Sequence, residues 1–150
     1  MRIAITGPES SGKTALAIQL AESLSIPYCP EAARSYFQNR SPKYTLHDIE
    51  NIALMQAAWW KKTERFSSSW VADSDYWVMH IWQIEKFGKC SSVVEQSLRY
   101  VPFDIVLVCA PDIPWEYDPL RENRDDRDRL FDEYAAVLSA NQINSHVVRG

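Results

Sequence analysis

The chain has 150 residues, of which 46% are hydrophobic, and it carries a formal net charge of −4 with a pI of about 5.4. This length and apolar content predict a single domain that builds its own core. The sequence contains no basic stripe of the kind that binds nucleic acid and no apolar run of membrane-spanning length, so we expect neither a nucleic-acid partner nor a membrane partner.

The first elements in chain order are a strand, a glycine-containing loop and a helix. Residues 2–6 are a short β-favouring run, which leaves no room for a signal or transit peptide before it. Downstream, Leu16, Leu20 and Leu24 are spaced four residues apart, which is the spacing of a helix that packs on a core.

Between this strand and helix lies "GPESSGKT" at 7–14, which has the Walker A spacing G-x-x-x-x-G-K-T. Backbone N–H groups of such a loop converge on phosphate at a helix N-terminus, and its glycines permit that close approach. The lysine reaches the β- and γ-phosphates, and the threonine hydroxyl is a ligand for Mg²⁺. The motif therefore predicts that the chain binds ATP and Mg²⁺ through Gly7, Glu9, Ser10, Ser11, Gly12, Lys13 and Thr14.

The rest of the chain alternates between strands and helices. We predict strands at 26–30, 67–73, 105–109 and 144–150, helices at 31–40, 45–65, 75–87, 91–100 and one ending near residue 139, and a turn at 41–44. Thr45 and Asp48 have capping-box spacing, and the apolar run 105–109 suits a strand buried on both faces. The long helix would bury Leu46, Ile49, Ile52, Ala53, Trp59 and Trp60.

This alternation predicts a P-loop NTPase fold, a three-layer α/β/α sandwich with a mostly parallel five-stranded sheet. We expect one kinase-like domain over 1–150. Because the sequence stops just after the last strand, either the final covering helix is absent or the chain is truncated.

Two aspartates follow the predicted strand at 67–73. Asp73 stands at its carboxyl end, where Walker B acids hold the magnesium shell and where ligands gather in open α/β sheets. Asp75 would accept a proton from a substrate hydroxyl or bind a ribose. The alternative for Asp75 is the N-cap of the next helix.

The charged stretch "LRENRDDRDRL" at 120–130 has two interpretations. It suits an exposed helix with alternating charges, whose ion pairs contribute little. It also suits a lid, at about 112–128, whose arginines close over the transferred phosphoryl group and exclude water. Three prolines before the stretch and a helix after it favour the lid, with Arg121 and Arg127 as the catalytic arginines and Arg124 as the next candidate.

The cysteines and histidines indicate no metal site. They are Cys29, Cys90, Cys109, His47, His80 and His146, with no CxxC pair and no metal-ligand spacing. An odd number of unpaired cysteines fits a reduced, cytoplasmic setting.

With these motifs, the chain resembles the ribosylnicotinamide kinase domain of NadR-type proteins, a family of AAA-like small ATPases. The resemblance runs nearly end to end through "ITGPESSGKT" at 5–14, "PEAARSY" at 30–36, "ADSDYWVMHIW" at 72–82 and "APDIPWEYDPLR" at 110–121, with Arg127 beyond. The first motif is common to P-loop proteins, whereas the last is much more specific.

The resemblance implies ATP-dependent phosphorylation of the 5′-hydroxyl of nicotinamide riboside, which gives nicotinamide mononucleotide for NAD biosynthesis. It implies that Glu31, Arg34 and Tyr36 line the nucleoside side of the cleft and that Trp82 and Trp115 contact the nicotinamide or shape its pocket. A pyridinium cation favours aromatic faces and nearby carboxylates, so this chemistry is compatible with those residues.

The chain also departs from the resemblance. Pro119 stands where a glycine is expected after the lid aspartate, and it would stiffen the hinge. The adenylyltransferase and DNA-binding segments of the family are missing, so we expect neither of those activities.

Three functions stay open on the sequence alone. The first is the nicotinamide riboside kinase, with Lys13, Asp75, Arg121 and Arg127 as its catalytic residues. The second is a kinase for another nucleoside, nucleotide or small metabolite. The third is a non-catalytic ATP-binding module. The sequence indicates no particular oligomeric state.

Overall fold

Strands and helices alternate along the chain in the computed structural model, which describes residues 1–41, 43–100 and 102–150. The elements are β1 (Arg2–Thr6), α1 (Lys13–Leu24), β2 (Tyr28–Cys29), α2 (Ala32–Phe37), α3 (Leu46–Glu64), β3 (Trp70–Asp73), α4 (Tyr76–Phe87), α5 (Ser92–Ser97), β4 (Ile105–Cys109), α6 (Arg127–Ala140) and β5 (Ser145–Val148). None of the helices in the described part of the chain is long and apolar enough to span a membrane.

The five strands form one sheet in the order β2-β3-β1-β4-β5. All four strand pairs are parallel, which confirms the predicted five-stranded, mostly parallel sheet. In the register, Ile5 of β1 lies beside Asp73 of β3 on one side and Leu107 of β4 on the other. The carboxyl ends of these three strands therefore lie at the same edge, where β1 continues into the glycine-containing loop.

Helices cover both faces of the sheet, as expected for a three-layer sandwich. Helix α1 packs on the face that carries Ile3, Ile5 and Val71. The opposite face is covered by α2 to α6, in two clusters built around Trp70 and Val106. Alternate side chains of each strand thus enter different apolar layers, which is the period-two pattern of a sheet.

One prediction about β4 was wrong. Ile105 and Leu107 are only half-buried, while Val106 and Val108 are buried, so the strand is fully covered on one face alone. The reason is the placement of α1, which packs mainly against β1, β2 and β3 rather than β4.

Local sequence motifs correctly predicted where two helices begin and end. The capping box at the start of α3 is present: the Asp48 carboxylate accepts from the Thr45 N–H at 2.7 Å, and the Asp48 N–H donates to the Thr45 hydroxyl. Helix α4 begins after Asp75 and ends at Gly88, whose φ is 68°. These two helices match the predicted spans within one residue.

Other elements are shorter than predicted. Pro27 and Pro30 flank β2 and cannot donate to the ladder, so this strand keeps only two residues. Strands β3 and β5 and helices α2 and α5 also begin or end inside their predicted ranges. The buried face of α3 contains Gln56, while Leu46 and Trp59 are only half-buried. The turn predicted at 41–44 includes Pro42, which lies outside the described residues.

Candidate functional site

The loop between β1 and α1 begins against the end of a neighbouring strand. Gly7 has a φ of 129°, and a Cβ placed on it would lie 2.7 Å from the carbonyl oxygen of Cys109. Gly12 and Ser10 also have positive φ, at 81° and 53°. Only a residue without a Cβ fits at Gly7. Because this residue is glycine, the loop backbone can lie directly against the end of β4.

Lys13 lies at the centre of this loop. Its ammonium group donates to the carbonyl oxygens of Gly7 at 3.0 Å and Pro8 at 2.7 Å, and the Ser11 hydroxyl braces the loop by donating to the same Pro8 carbonyl at 2.8 Å. Thr14 follows in the first turn of α1, where its side chain is half-buried. The predicted loop residues 7–14 all line one cleft of about 510 Å³.

Two buried aspartates follow the loop at the end of β3. Tyr28 donates its hydroxyl to Asp73 at 3.2 Å. The Oδ1 atom of Asp75 accepts from the Thr6 hydroxyl and from the Val78 N–H, each at 3.1 Å, so Asp75 is the N-cap of α4. Burial raises the pKa of Asp75 to about 6, against the opposing effect of these hydrogen bonds.

Three buried polar atoms at this position have no hydrogen-bond partner within the described part of the chain. They are Oδ1 of Asp73, Oγ of Ser74 and Oδ2 of Asp75. Buried oxygens are almost always satisfied in native proteins, so these three atoms are candidates to bind a water molecule or an ion. Carboxylate and hydroxyl oxygens are the donors that a magnesium shell takes, and they fit the predicted metal residues Thr14 and Asp73.

The predicted lid (112–128) lies over the loop and is anchored to it. Glu9 accepts from the backbone N–H groups of Glu122 and Asn123, both at 2.9 Å. The Ser10 hydroxyl accepts from the Glu116 N–H at 2.9 Å. The lid residues before α6 contain no helix, so the alternative of an exposed helix over 120–130 holds only for 127–130, the first turn of α6.

Both predicted lid arginines contact the loop. Arg121 donates to the carbonyl oxygen of Glu116 at 2.7 Å and to the Ser10 hydroxyl at 3.4 Å. Arg127, the first residue of α6, donates to the carbonyl oxygens of Ser10 and Ile113, each at 3.0 Å. Arg124 is exposed.

The opposite wall of the cleft carries Glu31, Arg34 and Trp82. Burial raises the pKa of Glu31, and the nearby charge of Lys13 opposes that rise. Trp82 donates its indole N–H to the hydroxyl of Tyr44 at 2.8 Å, which fixes the ring on the wall.

Three predicted substrate residues lie away from the cleft lining, and one of them is Asp75, which is not among the described lining residues. Neither Tyr36 nor Trp115 is among the described residues that line the cleft. Tyr36 turns toward α3, where its hydroxyl donates to Asp48 at 2.7 Å and Arg40 lies 4.2 Å from the centre of its ring. Trp115 is itself a lid residue, and the Arg127 guanidinium lies 5.6 Å from its ring centre.

The cleft also has lining residues that the sequence did not single out, and three of them carry polar side chains with partners or burial of note. Asp118 bonds to Arg34 at 2.9 Å, Glu85 pairs with Arg129, and Tyr134 is buried in the wall formed by α6. Asp118 belongs to the specific segment "WEYDPLR", which was a usable signal. Tyr134 looks like any other apolar-face residue of an amphipathic helix, and no signal distinguished it.

Comparisons with known proteins agree with this geometry. A family model described as an AAA domain matches residues 2–150. No curated protein matches the chain in sequence. Among solved structures, the NadR protein in complex with NAD and AMP-PNP aligns with a TM-score of 0.75 and 19% identity, covering 97% of this chain and 43% of that one. NadR in complex with NR aligns with a TM-score of 0.73 at 18% identity, covering 97% and 45%.

Two kinases have similar folds. Thymidylate kinase from Ehrlichia chaffeensis aligns with a TM-score of 0.72 and 18% identity, covering 99% of this chain and 86% of that one. Deoxyadenosine kinase from M. mycoides with bound dATP aligns with a TM-score of 0.62 and 12% identity, covering 99% and 91%. At these identities the likeness shows the fold, which is that of P-loop nucleoside and nucleotide kinases, as predicted. The chain spans less than half the length of the NadR protein.

Proposed function

The chain belongs to the AAA domain family whose model it matches, and from that membership we propose that it is an ATP-dependent kinase that phosphorylates the 5′-hydroxyl of nicotinamide riboside to nicotinamide mononucleotide. The observation that carries this proposal is one continuous cleft. It has the Walker A loop and Lys13 on one side and Glu31, Arg34 and Trp82 on the other. A donor phosphate and an acceptor would therefore meet in the same volume.

The loop side of the cleft suits the triphosphate of ATP. The first turn of α1 points its free N–H groups toward the cleft, and Gly12 caps that helix without a side chain, so phosphate oxygens have unhindered access to them. The Lys13 ammonium would exchange its bonds to the loop carbonyls for bonds to the β- and γ-phosphates. Glu9, Ser10 and Ser11 shape this loop and tie it to the lid.

Thr14 and Asp73 would hold Mg²⁺ beside these phosphates. The unpartnered Oδ1 atom of Asp73 supports this assignment. When bound, the ion would neutralise the charge of the β- and γ-phosphates. The hydrogen bond from Tyr28 keeps the other oxygen of Asp73 in place.

The reaction forms a bond between the acceptor oxygen and the γ-phosphorus and breaks the bond between that phosphorus and the bridging oxygen of ADP, which keeps the electron pair. The acceptor hydroxyl loses its proton to a carboxylate. The sequence places this role on Asp75, whereas the cleft favours Glu31. Oδ1 of Asp75 is held by Thr6 and by the α4 N-terminus, and Asp75 is not among the described residues that line the cleft, whereas Glu31 is. We assign the proton to Glu31 and a positioning role to Asp75.

The lid supplies the remaining positive charge. Arg121 lines the cleft, and Arg127 braces the loop from the start of α6. Charge that spreads over the γ-phosphate oxygens during transfer is stabilised by such arginines, and the covering lid keeps water from competing with the acceptor. The contacts of Glu9 and Ser10 with the lid support its placement over the phosphates.

The cleft residues Glu31, Arg34 and Trp82 form what we call the acceptor wall, and this wall suits a cationic ring. Trp82 offers an indole face, and Glu31 and Glu85 add carboxylates to the same lining. The likeness in fold to NadR in complex with NR supports nicotinamide riboside as the acceptor. We place the reaction in the cytoplasm, which the free thiols of Cys29, Cys90 and Cys109 support.

The test is the release of ADP from MgATP with nicotinamide riboside, thymidine, deoxyadenosine and thymidylate offered separately. We expect nicotinamide riboside to give the largest stimulation, with nicotinamide mononucleotide identified by mass spectrometry. Lys13→Ala should abolish both turnover and the calorimetric heat of MgATP binding, while Lys62→Ala, on the far end of α3, should keep both. A preference for another compound would identify a different kinase. MgATP binding without acceptor-stimulated turnover would identify the non-catalytic module.

A further inference from the structure

An ion pair joins the lid to the acceptor wall of the cleft. The guanidinium of Arg34, on α2, donates to Oδ2 of Asp118 at 2.9 Å, and both residues line the cleft. Oδ1 of Asp118 accepts from the backbone N–H of Leu120, also at 2.9 Å. The bond from Leu120 and then the pairing with Arg34 hold the pKa of Asp118 below its usual range. The carboxylate is therefore ionised at neutral pH and fixed by its own segment.

Glu31 lines the same cleft as this pair and the phosphate loop. Burial raises the pKa of Glu31, and the charges of both Lys13 and Arg34 oppose that rise. Lys13, Glu31, Arg34 and Asp118 all line this one cleft. An acceptor in this cleft therefore shares it with the Glu31 carboxylate.

The other cations of the cleft are already engaged near the loop. Among the described lining residues, the cations are Lys13, Arg34 and Arg121. Lys13 bonds to the carbonyl oxygens of the loop, and Arg121 bonds to Ser10 and to the Glu116 carbonyl. Arg34 is the cation on the acceptor wall, and Asp118 neutralises it. A phosphate on the acceptor would meet the Glu31 carboxylate without an unpaired cation beside it, and such a like-charge contact rejects a ligand.

We propose that Asp118 is a specificity-determining residue: by neutralising Arg34, it makes the cleft select an acceptor with a free hydroxyl over the same compound carrying a 5′-phosphate. This inference rests on the proposed function and deepens it, since the solved structures with a similar fold include kinases for nucleosides and for a nucleotide. The discrimination comes from one carboxylate in the lid and not from the size of the cleft.

The test is Asp118→Asn, in protein loaded with AMP-PNP and Mg²⁺ so that the γ-phosphate position is filled. Asparagine keeps the size of the side chain and an oxygen that can accept from Leu120. Calorimetry would give the Kd of nicotinamide riboside and of nicotinamide mononucleotide for each protein. We expect wild type to prefer the riboside and Asp118→Asn to shift the ratio of the two Kd values toward the mononucleotide by about tenfold or more, since a free arginine binds phosphate through charge-assisted bonds.

Two further variants test whether the shift in the Kd ratio comes from breaking the Arg34–Asp118 ion pair or from removing any negative charge. Glu116→Gln removes a carboxylate from the same lid and the same cleft, and the contacts of Glu116 with Ser10 and Arg121 use its backbone. We expect it to leave the ratio unchanged. Adding Arg34→Met to Asp118→Asn should return the ratio to the wild-type value. A shift by Glu116→Gln as large as that by Asp118→Asn, or no shift by Asp118→Asn, would overturn the proposal.

Inorganic phosphate is a second probe, and its binding tests the role of Asp118 whatever acceptor the enzyme uses. Titrated into the AMP-PNP-loaded protein, phosphate should bind to Asp118→Asn at least about tenfold more tightly than to wild type. If nicotinamide riboside does not bind to wild type but phosphate shows this gain, the proposed acceptor is wrong and the role of Asp118 stands. If phosphate shows no gain, the role of Asp118 is wrong whatever the acceptor.

Discussion

The carbonyl oxygen of Cys109 occupies the space that a side chain on Gly7 would need, 2.7 Å from an ideal Cβ. The phosphate loop therefore starts against β4, and its position depends on the sheet as well as on its own sequence. Gly7→Ala must move this backbone and also strain a φ of 129°. We expect a loss of about 2 kcal/mol or more in the free energy of unfolding, measured in urea, and the loss of MgATP binding by calorimetry.

Gly88 provides the matched control for this substitution. Its φ is also positive, at 68°, but no atom lies within 4 Å of an added Cβ. Gly88→Ala should cost only about 1 kcal/mol, since the left-handed cap is strained without a clash, and it should keep MgATP binding. Equal losses of stability in the two variants would show that the contact with Cys109 does not hold the loop.

Glu9 anchors the lid through two backbone N–H groups, and hydrogen exchange can measure this directly. In Glu9→Ala the amides of Glu122 and Asn123 lose the carboxylate that accepts from both at 2.9 Å. A hydrogen bond to a charged acceptor stabilises by about 1.5–3 kcal/mol, so we expect both amides to exchange about 10- to 100-fold faster.

Glu116→Ala is the comparison for the exchange experiment. It removes a carboxylate from the lid itself, while the Glu116 N–H keeps its bond to Ser10. The amides of Glu122 and Asn123 should then exchange at the wild-type rate. If Glu9→Ala left their exchange unchanged, the lid would be held by other contacts.

The geometry of Arg121 suits a planar guanidinium, which bonds to both Ser10 and Glu116. Both bonds come from the Nη1 atom, which leaves the other guanidinium nitrogens for phosphate oxygens. Arg121→Lys keeps the charge and loses these additional donors, so we expect kcat to fall by about 100-fold or more while KM for ATP changes by less than about fivefold. Steady-state kinetics with the preferred acceptor would measure both values. Arg124→Lys, at an exposed lid position, should leave kcat within about twofold. A parallel rise in KM for ATP would make Arg121 a binding residue instead.

Much of the fold could be predicted because its signals are local. The Walker A loop is bounded by a strand and a helix that are both visible in the sequence, and Gly88 ends α4 through its own left-handed backbone. Thr45 and Asp48 start α3 through contacts between residues three apart. Each of these features depends on neighbours along the chain, so the sequence contains the whole cause.

The acceptor wall could be predicted only in part, because its contacts are long-range. Tyr36 and Arg34 lie on the same short helix, yet Tyr36 turns to Asp48 on α3 and Arg34 turns to the cleft. Which side of a six-residue helix faces the cleft depends on the packing of α3. The pair of Arg34 with Asp118 joins residues 84 positions apart, and no sequence spacing indicates it.

Glu31 should make the stability of the fold depend on pH. Burial raises its pKa in the folded chain above the ordinary value of 4.5, with Lys13 and Arg34 opposing. Between the unfolded and the folded pKa, the folded chain keeps a proton that the unfolded chain has lost, so the free energy of unfolding falls as pH rises through that window. Glu31→Gln carries no such titration. We therefore expect the variant to be more stable than wild type at pH 7 and equal to it below about pH 4.

The same substitution should impair the enzyme that it stabilises. Without a carboxylate to take the hydroxyl proton, kcat should fall by about 10²- to 10⁴-fold, and the acid limb of the wild-type pH–rate profile should lie above pH 4.5. Glu22→Gln, at an exposed position on α1, should change neither stability nor kcat. Urea unfolding between pH 4 and 8 and steady-state rates over the same range measure both effects. Burial of Glu31 is enough to explain a gain in stability, whereas a fall in kcat requires a role of Glu31 in proton transfer. A Glu31→Gln variant that gained stability but kept wild-type kcat would therefore assign the proton acceptor to Asp75 instead.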